Sequence, residues 1–109
     1  MALAAIKSLA DGQLADSKGT IYTSPASTQT IVKSIILVNT NSSAEAVNIY
    51  FKASGGTSRQ ITPVDKSLAA SAKTEVLEKD LTLEAADILE GDTTTASKVD
   101  FVISGIQNS

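Results

Sequence analysis

The chain has no histidine, no cysteine and no tryptophan, and Arg59 is its single arginine. Each absence removes a class of function. Without histidine there is no Ser-His-Asp or Cys-His arrangement, no imidazole general base and no use of the commonest transition-metal ligand. Without cysteine there are no disulfides and no thiolate metal sites, so a domain of 109 residues must be held by its core or by assembly with other subunits. Aromatic residues make up only 4% of the chain, namely Tyr22, Tyr50, Phe51 and Phe101, which leaves few platforms for stacking a sugar. The interior must therefore be filled by Ile, Val and Leu, each contributing about 1.5–3 kcal/mol when fully buried. Those side chains favour strands. With a net charge of −3 and no basic stripe, the chain is not expected to bind nucleic acid. No apolar run approaches the length of about 20 residues that spans a bilayer, so no membrane partner is expected.

What is present is period-two patterning. From Thr28 to Ala53, two runs of alternating β-branched and polar residues flank Asn39-Thr40-Asn41-Ser42-Ser43, a segment of turn-forming residues. The pattern reads as one long β-hairpin, with Ile31, Ile35 and Leu37 sharing a face with Lys33, and Val47, Ile49 and Phe51 alternating with Asn48, Tyr50 and Lys52. Around it, Ile21-Tyr22 and Arg59 to Thr62 read as short strands, the second ended by Pro63. Ser54-Gly55-Gly56-Thr57 reads as a turn in which glycine supplies positive φ. Val64 to Ala72 has Leu68 as its only large anchor and reads as a crossing loop, with a helical turn possible in principle at Ser67 to Lys73. Lys73 to Glu78, Leu81 to Leu83, Asp87 to Glu90 and Lys98 to Ile106 follow as strands, with Gly91 to Ser97 as a polar loop. Seven or eight short strands at regular intervals predict a single-domain antiparallel β-sandwich, jelly-roll-like or Ig-like, over residues 13–109, with residues 1–12 as an N-terminal arm.

Two features stand out as candidate contacts. Leu3, Ile6 and Leu9 recur at a spacing of three, which suits a helical turn or an extended arm lying on a neighbour; a frayed terminus is the other reading. Lys7 interrupts this apolar stretch and Asp11-Gly12 follows too early for a complete secretion signal, so it reads as part of the mature chain. The run Ile35-Ile36-Leu37-Val38 is apolar on both faces. Either its own chain covers it twice, as in a central or bulged strand, or Ile36 and Val38 meet another subunit.

Nine of the twelve acids lie after residue 54, with Glu75, Glu78, Asp80, Glu84, Asp87, Glu90 and Asp92 in one stretch. Glu90-Gly91-Asp92 could contribute oxygens to a calcium site, but the D-x-[DN]-x-[DN]-G pattern is absent, so a solvated acidic face is expected and no metal is assigned. Gly55-Gly56 lacks the frame of a phosphate loop, and no serine has a base in a recognised pattern. No catalytic residue and no cofactor follow from the residues.

The series Leu14…Gly19-Thr20-Ile21-Tyr22-Thr23-Ser24-Pro25-Ala26, Val32-Lys33-Ser34-Ile35-Ile36-Leu37-Val38-Asn39-Thr40, Val47-Asn48-Ile49-Tyr50, Leu81-Thr82-Leu83-Glu84-Ala85-Ala86-Asp87-Ile88-Leu89 and Ile103-Ser104-Gly105-Ile106 resembles small virion proteins of tailed bacteriophages, over about residues 13 to 107. It departs from them at Ala86, where a related L-x-L-x-x-G-D pattern has glycine. The resemblance implies a non-enzymatic structural protein, first of all a capsid decoration or cement protein that binds the assembled head and stabilises it. A tail, neck or fibre-associated module is the alternative within that class, and a host-surface or carbohydrate-binding sandwich the alternative outside it. The implied partners are further copies of the chain, as a homo-oligomer with a trimer favoured, and a major capsid or other virion protein. The implied location is the virion, assembled in the host cytoplasm. Leu3, Ile6, Leu9, Ile36 and Val38 are the residues expected at these contacts.

Overall fold

The computed structural model describes residues 4–109. Within them the chain forms ten strands and no helix: β1 (Ala4–Gln13), β2 (Gly19–Thr23), β3 (Gln29–Asn39), β4 (Glu45–Lys52), β5 (Arg59–Gln60), β6 (Lys66–Leu68), β7 (Lys73–Glu75), β8 (Leu81–Leu83), β9 (Ile88–Thr93) and β10 (Val99–Asn108). They make two antiparallel sheets packed face to face. The first has the order β1-β10-β3, with β7 and β8 both beside β3; the second has the order β2-β9-β4, with β5 and β6 both beside β4. Leu14, Val32, Ile35, Leu37, Val47, Ile49, Leu68, Leu83, Leu89, Val99 and Ile103 fill the space between them, each at most 4% exposed, with Tyr22 and Phe101 at its margins. The all-β sandwich expected from the patterning is the fold observed, with ten strands where seven or eight were expected.

Thr28 to Ala53 is not a hairpin. β3 pairs with β10 and β4 pairs with β9, so the two strands lie in opposite sheets and face each other across the core. The cause is Asn39, which is fully buried. Its Nδ2 donates to the carbonyls of Ser43 (2.9 Å), Leu68 (3.0 Å) and Ala69 (3.1 Å), and its Oδ1 accepts from the Asn41 N–H (2.9 Å). That anchoring carries the chain across the end of the sandwich as a corner. Alternation placed Ile35, Leu37, Val47 and Ile49 inward correctly, but not Ile31 and Lys33, and gave no guide to the neighbouring strand. Two further segments differ for the same reason. The segment read as a crossing loop holds β6, whose Leu68 enters the core, and β9 runs on to Thr93 through the expected polar loop because Gly91 and Thr93 are buried against β4.

Three bulges set which residues face inward. Each is one extra residue in a strand: Leu9 in β1, Ile21 in β2 and Lys33 in β3. Leu9 and Ile21 pack against the core along the side where β1 and β2 end the two sheets. The β3 bulge places Thr30 and Val32 inward before it and Ile35, Leu37 and Asn39 inward after it, so Ile31 lies on the outer face and not with Ile35 as the simple alternation predicted. Gly105 opposite this bulge leaves no room for a side chain: a Cβ there would sit 2.1 Å from the Ile31 carbonyl oxygen. At Ser54-Gly55-Gly56-Thr57 the expected turn is present, with Gly55 at φ 72°. Ala86 also has positive φ, 68°, so the turn before Asp87 is as tight as a glycine turn, at a conformational cost of roughly 1 kcal/mol. Asp87 holds it, accepting from the backbone N–H groups of Glu84 and Ser54.

Candidate assembly surface

Rows run across the strands on the outer face of the first sheet, and four of them make the candidate surface. Ile6, Ile106, Ile31 and Thr82 form the first, and Ser8, Ser104 and Ser34 the second. Asp11, Val102, Ile36 and Glu75 form the third, and Gln13, Asp100, Val38 and Lys73 the fourth. Six aliphatic side chains thus share one solvent-facing surface. Ile6 is 90% exposed and Val102 45%, while Ile31, Ile36, Val38 and Ile106 are half-buried by their neighbours. A sandwich face turned to water ordinarily carries polar residues at these positions. Here the serine row divides the six into the isoleucine row and a group of Val102, Ile36 and Val38, the latter flanked by Asp11, Gln13, Asp100, Lys73 and Glu75, and a shallow groove of about 190 Å³ runs past Ile6, Lys33 and Ile106.

Of the residues expected at contacts, Ile6, Ile36 and Val38 are brought to this one face. Leu9 is turned by its bulge onto the core of its own chain, and Leu3 lies outside the described residues. The N-terminal segment was expected as a helical turn or as an extended arm lying on a neighbour; its described residues are extended, and they pair with β10 of the same chain as a strand of the first sheet. Ile31, Val102 and Ile106 complete the surface and were missed. For Ile31 a signal was present: placing Lys33 on the inward face with Ile35 conflicts with burial, and a bulge removes that conflict.

Glu75 stabilises the far side of the surface. β7 and β8 leave a gap beside β3, and the Glu75 carboxylate fills it, accepting from the Ser34 hydroxyl, the Ile35 N–H at 2.8 Å and the Leu77 N–H at 3.1 Å. Desolvation raises the pKa of this carboxyl, but the hydrogen bonds from Ser34, Ile35, Leu77 and Val76 outweigh it and hold the group below the ordinary carboxylate value. Lys33 makes an exposed ion pair with Asp80 at 2.8 Å, worth at most about 1 kcal/mol.

The outer face of the second sheet is of another kind. Buried Asn48 donates to Asp65 Oδ1 and Asp92 Oδ1, both at 2.9 Å, and accepts from Gln60 Nε2 and the Asp65 N–H. The Tyr50 hydroxyl donates to Asp92 Oδ2 at 2.6 Å, and the Ser58 hydroxyl to Glu90. Burial, the bond to Asp92 and the charges of Asp92, Asp65 and Glu90 push the Tyr50 pKa up to about 12, so the phenol remains a donor. Glu45, at the end of β4, is buried. Desolvation works to raise its pKa, yet hydrogen bonds from Asn41, Thr95 and Thr93 keep it below the ordinary value. Acids of the 75–92 stretch are therefore spread over different parts of the fold, with Glu75 on β7 beside the first sheet's outer face and Glu90 and Asp92 on the second's.

A concavity of about 520 Å³ is lined by Ile61, Thr62, Pro63 and Lys66 on one side and by Thr74, Glu75, Val76, Leu77 and Glu78 on the other.

No protein-family model matches the chain, and no curated protein matches it. Solved structures do share its fold. A Bacillus endospore appendage, described as a disulfide-linked pilus, is similar with a TM-score of 0.55 at 17% identity, over 99% of this chain and 88% of the other. The acid-stable capsid of Helicobacter pylori bacteriophage KHP30 contains a chain similar with a TM-score of 0.53 at 12% identity, over 100% of this chain and 94% of the other. A particle of infectious bursal disease virus contains one similar with a TM-score of 0.52 at 10% identity, over 99% of this chain but only 30% of the other. The likeness is one of fold.

Proposed function

We propose that this chain is a non-enzymatic structural protein of a virion, acting as a decoration or cement protein that binds the assembled head. The observation that carries the reading is the outer face of the first sheet. Six aliphatic side chains, in two groups parted by a row of small serines and flanked by charged and amide side chains, mix apolar and polar contacts as an interface does, and no interior core requires them there. Support of a coarser kind comes from the fold, which recurs in capsid and pilus subunits. The mechanism is linkage: a protein that binds the assembled shell in preference to its free subunits stabilises the shell. Its partners are further copies of itself and a lattice protein presenting a complementary apolar strip.

Gel densitometry of purified particles tests this directly. A cement protein is present in hundreds of copies on heads, and particles lacking it lose infectivity or contents at a lower temperature. Few copies per particle, with head stability unchanged by deletion, would replace this reading with a tail, neck or fibre component.

A further inference from the structure

The geometry points to β1 as a self-pairing edge: two copies of this chain join their first sheets by antiparallel hydrogen bonding between their Ala4–Ser8 segments, centred on Ile6 and related by a two-fold axis perpendicular to the sheet. The contact does not rest on the proposed role at a virion head, because it is made through the strand edge and needs no lattice partner.

β1 pairs with β10 on one side and ends the sheet on the other. Its ten residues contrast with the other strands at sheet margins, of which β2 has five residues, β6, β7 and β8 three each, and β5 two. Short margins are a common protection against stray pairing; a long one offers a row of free N–H and C=O groups to a further strand. The bulge at Leu9 interrupts this edge and leaves Ala4 to Ser8 in unbroken register with Asn108 to Ser104, every one of the five exposed.

The register follows from side-chain chemistry. In an antiparallel pair, residues directly opposite point to the same face, so only centres on a residue suit this two-fold arrangement. Centring on Lys7 would oppose two ammonium groups, which is destabilising. Centring on Ala5 would set Ile6 against Ala4. Centring on Ile6 sets isoleucine against isoleucine, Lys7 against Ala5 and Ser8 against Ala4. It also joins the first rows of the two outer faces, because Ile6 is next to Ile106 and Ile106 next to Ile31. Six isoleucines then lie in one line across six strands, and Ile6, 90% exposed in the single chain, is covered by its own copy. The arrangement is isologous and closes on itself. It gives the chain a two-fold pair where the resemblance implied a trimer.

Cross-linking and mass measurement test the register. The chain has no native cysteine, so Ile6→Cys carries the only thiol. Opposite residues of an antiparallel pair have Cα atoms about 4.5–5.5 Å apart, within disulfide reach, whereas the two copies of Ser8 lie about 14 Å apart along the strands. Under mild oxidation Ile6→Cys is expected to form a covalent dimer at least tenfold faster than Ser8→Cys, and an equal mixture of Ser8→Cys with Ala4→Cys to cross-link efficiently. The contact is small, so light scattering is best done at about 0.5 mM, above the dissociation constants of many small transient contacts. There the wild-type mass should approach twice 11.3 kDa, and Ile6→Lys should stay at 11.3 kDa with an unchanged circular dichroism spectrum and melt. A wild-type monomer at that concentration, equal rates for the two single-cysteine variants, or a dimer that survives Ile6→Lys would each overturn the pairing.

Discussion

The outer faces of the two sheets are made by the same chain and lie over the same core, yet they solve opposite problems. On the second sheet Asn48, Asp65, Asp92, Tyr50 and Gln60 spend their hydrogen-bonding capacity on one another, so the face is satisfied without a partner. The first sheet puts Ile6, Ile31, Ile36, Val38, Val102 and Ile106 where polar residues would be stable in water. Burying them against a partner gains roughly 25 cal/mol per Å² of apolar surface removed from water, a gain the single chain forgoes. That difference is what makes the first sheet's outer face, and not the second's, the candidate interaction surface.

Substitutions can break or sharpen the contrast, and they rank by expected effect on stability. Gly105→Ala should cost most, about 3 kcal/mol, because its Cβ would force the Ile31 carbonyl and the Lys33 bulge to move, and with them the outward placement of Ile31. A urea midpoint that falls at constant slope reads this out; a loss below about 1 kcal/mol would show that the bulge is not pinned by that contact. Asn48→Ala should cost about 2 kcal/mol, since it strips the amide from two carboxylates and a backbone N–H on the second face. Assembly on the first face should survive it, and loss of assembly in a folded Asn48→Ala protein would mean that both faces bind.

Glu75→Gln comes next, at about 1 kcal/mol near neutral pH for a carboxylate this exposed to solvent. Its sign with pH is fixed by the depressed folded pKa. The contribution of Glu75 is present above the unfolded value of 4.5 and is lost as pH falls through the lower folded value, so the variant should differ least from wild type in acid. Glu45 behaves in the same direction and leaves a residual acid dependence in that variant. Thermal melts across this range check both. Ile36→Lys should change stability least, within about 0.5 kcal/mol, while dispersing the assembly. Outright unfolding of Ile36→Lys would instead assign that side chain to the core.

Much of the strand content was legible because alternation reports burial directly. Ile35, Leu37, Val47 and Ile49 are all inward as their spacing implies. Pairing was not legible: β3 and β4 carry the pattern of a hairpin and end in different sheets because a buried Asn39 side chain, tied to Leu68 and Ala69 from distant sequence, turns the corner between them. The candidate surface was legible in part. Ile36 and Val38 announce themselves by an apolar run too continuous for one buried face. Ile106 and Ile31 do not, since their outward position depends on the register of β10 against a bulge.

Composition and periodicity, taken alone, determined that this chain is an aliphatic-cored all-β domain without the side chains of histidine- or cysteine-based chemistry, because those properties depend on which residues are present and on their local spacing. Only the tertiary structure decided which strands are neighbours, where the three bulges redirect side chains and that six aliphatic residues from three strands meet on one exposed face. Those outcomes depend on contacts between residues far apart in sequence, such as Gly105 with Ile31 and Glu75 with Ile35, which no local pattern encodes.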